Sequence, residues 1–104
     1  MKAKEFEQLF ERRVKMCRKT LVQKAEEYSS EEDRLYNFKR GSDFLGQTPS
    51  ESCLSYMTKQ LVSVYDLVQS DKRITQAIID EKIGDAINYL VLLEGCLHDE
   101  GVFP

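Results

Sequence analysis

The chain has little of what usually breaks, staples or anchors a fold. It holds two prolines and five glycines in 104 residues, so helices can run long before a breaker stops them. Its three cysteines, Cys17, Cys53 and Cys96, are far apart in sequence. With no CxxC pair and no zinc-ligand spacing, they exclude a disulfide framework or zinc knuckle and read as buried thiols in a reducing cytoplasm. No unbroken aliphatic run exceeds residues 90–93, far short of the roughly 20 apolar residues a membrane helix needs, so no membrane association is expected. Excess positive charge is missing too: 15 Lys and Arg stand against 18 Asp and Glu, a net charge of −3, which argues against nucleic acid as partner. The lone histidine, His98, suits a helix C-terminal end and is given no chemistry.

What is present is helical periodicity. Phe6, Phe10, Val14, Cys17, Leu21, Ala25 and Tyr28 recur at steps of three or four, which predicts a first helix over residues 3–28. Ser29 or Ser30 offers a start for a shorter second helix through Leu35, Phe38 and Phe44. Thr48-Pro49-Ser50-Glu51 reads as an N-cap, a proline in the first turn and the reciprocal acid of a capping box. The third helix is expected to turn Leu54, Met57, Leu61, Val64, Tyr65 and Val68 inward, with Ser52, Ser55, Lys59, Ser63, Asp66 and Ser70 opposite. Thr75 caps the last helix, whose seam runs through Ile79, Ile83, Ala86, Leu90, Leu93 and Leu97, and Gly101 marks its exit. The expectation is a single all-α domain over residues 1–104, a compact bundle of three long helices and one short one. Ile87, Val91 and Leu92 point away from that seam, so a homodimer or higher homo-oligomer is expected to cover them.

Three polar clusters stand out. Glu81, Asp85 and Asn88 fall at i, i+4 and i+7 of the last helix, and their line continues into Leu92 and Cys96. Two carboxylates roughly 6 Å apart repel by ~2–3 kcal/mol at an effective dielectric near 20. Lys82, Lys59 or a divalent cation such as Mg²⁺ would relieve that repulsion. Lys24, Glu27 and Tyr28 form the second cluster. Arg34-Leu35-Tyr36-Asn37-Phe38 is the third, with cation, aromatics and amide suited to a phosphate and a stacked base.

In order, Lys24-x-x-Glu27-Tyr28, Arg34 to Phe38, the block from Lys59 to Asp66 and the block from Ile79 to Tyr89 resemble small phage and prophage proteins. They are similar to the nucleotide-modification-associated all-α family, and more distantly to MazG-like nucleoside triphosphate pyrophosphohydrolases. The resemblance implies a role in phage nucleotide metabolism in the bacterial host cytoplasm, with a nucleotide as ligand. On that reading Lys24, Arg34 and Lys59 meet phosphates, Tyr28, Tyr36 or Tyr89 packs on a base or ribose, and Asn37, Asn88, Glu81 and Asp85 fix polar groups, with Glu27 a further ligand-binding candidate. Glu81 and Asp85 would hold Mg²⁺ if the ligand is hydrolysed. Lys82 stands where the MazG-like pattern has an acid, and residues 53–70 offer only Asp66 for its first acidic block. The leading expectation is a nucleotide-binding phage protein, with Mg²⁺-dependent pyrophosphohydrolase activity if the ligand is hydrolysed. Lys82 in place of an acid favours binding over metal chemistry. The alternatives are a non-catalytic sponge that sequesters a nucleotide signal, or a protein-binding inhibitor or adaptor.

Overall fold

The computed structural model describes residues 1–23 and 33–101. Four helices carry the described chain: α1 (Ala3–Arg18), α2 (Tyr36–Leu45), α3 (Pro49–Gln69) and α4 (Gln76–Asp99). A π-helical turn, Lys19–Gln23, continues α1, and no strand occurs among the described residues. The all-α expectation holds. No described helix is long and apolar enough to cross a membrane. The first helix differs from its expected course, because its α-helical part stops at Arg18 and widens into the π turn. The expected caps Ser29 and Ser30, and Lys24, Glu27 and Tyr28, lie outside the described residues.

The helix starts follow the local chemistry. The Thr48 hydroxyl accepts the Glu51 N–H at 3.2 Å, and the Glu51 carboxylate accepts the Thr48 N–H at 2.9 Å. This reciprocal pair satisfies two donors that a helix start leaves open, a cap typically contributing about 1 kcal/mol. The Glu100 carboxylate accepts from the Ser50 N–H at 2.9 Å and its hydroxyl at 2.7 Å, so the far end of α4 is tied to the first turn of α3. Thr75 accepts the Ile78 N–H at 3.3 Å. Gly101 leaves α4 with φ +75°, a conformation open to glycine at no steric cost.

Which faces are buried differs from the sequence reading. In α3 the buried residues are Ser52, Cys53 and Met57, whereas Leu54, Leu61, Tyr65 (65% exposed) and Val68 (72% exposed) face outward. In α4 they are Gly84, Asn88 and Cys96, and Leu90 is exposed. The reason is size. Cys53 and Cys96 are both fully buried, and small side chains on both helices let the backbones approach; the Cys53 thiol lies 3.7 Å from the Tyr89 carbonyl. Burial pushes that thiol up to about 12, so it stays protonated and unreactive. The bulkier aliphatic stripe of α3 is left without cover.

Helix α1 is held to α4 by charge. Arg12 makes a forked contact with the Asp80 carboxylate at 2.9 and 2.8 Å, Arg13 reaches it at 2.7 Å and Gln76 at 2.9 Å. The Arg12 contact, with Gln76 and Arg13 adding to it, holds the Asp80 carboxyl well below the usual carboxylate range. Gly84 makes room for this clamp, since a Cβ there would come within 3.2 Å of the Arg13 guanidinium. Phe6, Phe10 and Val14 remain exposed, because α1 meets the bundle along a groove rather than sealing against it. Helix α2 is fixed by Asp33, which accepts the Leu35 N–H at 2.9 Å. Lys39 bridges Asp33 at 2.7 Å and Asp99 of α4 at 2.9 Å.

Candidate ligand cleft

Two cavities flank Arg34. The first, about 700 Å³, opens between the π turn, α2, α3 and α4. Its walls are Thr20 and Leu21 from the π turn; Arg34, Asn37 and Phe38 around the start of α2; Tyr56 and Gln60 from α3; and Asp85, Asn88, Tyr89 and Leu92 from α4. The second, about 770 Å³, is an apolar groove between α1 and α4, lined in part by Phe10, Val14, Leu21, Leu35, Ile87, Val91 and Leu92. Ile87, Val91 and Leu92 line this open groove opposite α1 of the same chain, and Val91 remains 48% exposed, so α1 covers them only in part.

The first cleft gathers three aromatic rings, three carboxamides, one guanidinium and one carboxylate. Phe38 and Tyr56 meet at a ring-centroid distance of 6.1 Å in a tilted arrangement, a favourable aromatic geometry. Arg34 is oriented by donating its Nε–H to the Leu21 carbonyl at 3.2 Å. That carbonyl belongs to the π turn Lys19–Gln23 that continues α1. The Tyr89 phenol is raised above its ordinary range, mainly by burial and next by the Asp85 charge, so it stays protonated. Burial also raises the Asp85 carboxyl, the charge of Glu81 adds to the shift, and Lys82 opposes it.

A smaller chamber of about 60 Å³ lies against the same wall, bounded by Arg13, Met16, Cys17, Thr20, Asp80, Gly84, Asp85 and Asn88. Asn88 is 8% exposed, and its Oδ1 has no hydrogen-bond partner among the described residues. Arg13 and Asp80, which also bound this chamber, are engaged with each other at 2.7 Å.

Of the residues expected from sequence, the structure brings Arg34, Asn37, Asp85, Asn88 and Tyr89 together on one cleft. Lys59 is exposed and is not on its wall. Glu81 is likewise exposed, 3.5 Å from Lys82, because it sits a turn before the helix enters the bundle. The expected Glu81–Asp85 pair therefore does not converge on the cleft, and no group of three or more metal-binding side chains occurs among the described residues. Lys24, Glu27 and Tyr28 lie outside the described residues. Thr20, Phe38, Tyr56 and Gln60 are wall residues that the sequence reading did not place there. Tyr56 and Gln60, four apart on α3, carried a signal in that spacing.

Among the described residues, the fold and this wall define an all-α protein with a polar, aromatic cleft and an apolar groove between its helices. Set against protein-family models, curated proteins and solved structures, the chain matches none.

Proposed function

We propose that the chain is a nucleotide-binding protein of phage nucleotide metabolism that holds its ligand in the cleft between α2, α3 and α4. Asp85 and Asn88 carry this reading: two polar groups of one helix face beside Tyr89, the Asp85 carboxylate half-buried and the Asn88 Oδ1 buried with no hydrogen-bond partner among the described residues. A half-buried carboxylate and a buried amide oxygen without a donor are costly unless something binds them. Phe38, Tyr56 and Tyr89 offer faces for a base, and Arg34 a charge for a phosphate. The resemblance of residues 59–66 and 79–89 to the phage proteins supports the ligand class.

Sequestration is favoured over hydrolysis. Asp85 is the one carboxylate on this wall among the described residues, and Mg²⁺ requires several oxygen ligands in near-octahedral array. The test is a thermal-shift screen against nucleoside mono- and triphosphates and cyclic dinucleotides, with and without Mg²⁺. A ligand at 100 times its Kd stabilises the fold by about 2.7 kcal/mol. Recovery of the intact nucleotide after denaturing the complex supports sequestration, whereas release of pyrophosphate establishes hydrolysis. No shift with any nucleotide would overturn the proposal.

The proposal includes self-association through the uncovered face of α3, where Leu54, Leu61, Tyr65 and Val68 lie exposed. Sedimentation equilibrium is expected to give a multiple of the 12.1 kDa chain mass. A single-chain mass at micromolar concentration would remove this element and leave the ligand reading intact.

A further inference from the structure

The cleft wall on α4 is a wall of acceptors. Among the described residues the Asp85 carboxylate makes no hydrogen bond or close ion pair; Lys82 acts on it only through its charge and lies 3.5 Å from Glu81. One turn further on, the Asn88 Oδ1 is buried without a donor. Both residues line the cleft and the small chamber behind it. The Asn88 Cβ–Cγ torsion is broad and roughly two-fold, so its oxygen can reorient to meet a donor.

Adjacent acceptors select a ligand edge with adjacent donors. Adenine and cytosine each present an amino group beside a ring-nitrogen acceptor, which would face the carboxylate lone pairs. Uracil and thymine present one N–H between two carbonyl oxygens. Guanine alone among the common bases offers a ring N–H next to an amino group. We propose that the cleft is selective for guanine nucleotides, with the two Asp85 oxygens accepting N1–H and one N2–H, and Asn88 Oδ1 accepting the second N2–H. Tyr89 provides a ring face on the same wall. The proposal rests on the nucleotide-binding reading above and adds the base.

Calorimetric titration of the full chain with GMP, IMP, XMP, AMP and CMP tests it. GMP is expected to bind most tightly. IMP, which lacks the amino donor, should bind roughly 10- to 100-fold more weakly, as suits loss of charged hydrogen bonds. In Asp85→Asn the amide keeps one acceptor and gains a donor, which suits the carbonyl that xanthine carries in place of the amino group. That variant should lose GMP affinity by a similar factor and gain XMP affinity, and a misfolded protein cannot show such a gain. Tight binding of AMP or CMP, or equal binding of GMP and IMP, overturns the guanine assignment while leaving nucleotide binding in place. Binding of no nucleotide overturns both.

Discussion

Replacing Asn88 by Leu is expected to make the free protein more stable and to weaken nucleotide binding at least tenfold. Asn88 is nine-tenths buried, and its amide oxygen has no donor among the described residues. A buried acceptor left open costs about 1–3 kcal/mol, and an apolar side chain of similar shape removes that cost. The 60 Å³ chamber beside it has room for the extra methyl volume, so overpacking is small. The expected gain is about 1–2 kcal/mol, or roughly 5–10 °C in Tm for a domain of this size. Urea melts and calorimetric titration on the same preparation check both halves. A fall in stability would mean that the amide holds the fold together. Unchanged affinity would mean that it does not meet the ligand. Opposite movement of the two quantities is what a binding group kept at the expense of stability produces.

How far the sequence spoke for itself depended on the range of the interaction. The starts at Thr48 and Thr75 and the exit at Gly101 were legible because a cap is settled within a few residues of chain. Burial was not. Leu54, Leu61, Tyr65 and Val68 form the more hydrophobic stripe of α3, yet the bundle is built on Ser52 and Cys53, because close approach to Cys96 rewards small residues over large ones. Periodicity counts apolar residues and says nothing of which face finds a partner. On α4 the acidic line was the informative one. It does lead inward, through Asp85 and Asn88 to Cys96, while Glu81 at its head stays in solvent. Arg34, Asn37 and Tyr89 reach the same cleft from distant parts of the chain. Tyr56 and Gln60 were hidden because an aromatic and an amide on a surface-like stripe look ordinary until three other helices face them.

Leu35→Ala should be the most damaging single truncation among the described residues. Leu35 is 8% exposed and belongs to the small buried cluster with Phe38, Cys53 and Cys96, against which Tyr89, Leu92 and Leu93 pack. It enters the bundle at the first turn of α2, its N–H held by Asp33. Its two terminal methyl carbons rest over Gly95 of α4, each 3.6 Å from where a Cβ would stand there. Truncation leaves a void that neighbouring helices cannot fill without breaking the Lys39 bridges to Asp33 and Asp99. Leu→Ala at such a site costs about 2–5 kcal/mol, a large share of the 5–15 kcal/mol that usually separates folded from unfolded domains. The expected result is a Tm lower by roughly 10–25 °C, with the thiols of Cys53 and Cys96 reacting with a disulfide reagent under conditions where the parent protein is inert. Asn37 and Phe38 are carried by the same turn, so nucleotide affinity should fall although Leu35 does not line the cleft. A loss below about 1 kcal/mol, with both thiols still protected, would show that α2 is held mainly by its charges and that Leu35 is dispensable to the cleft.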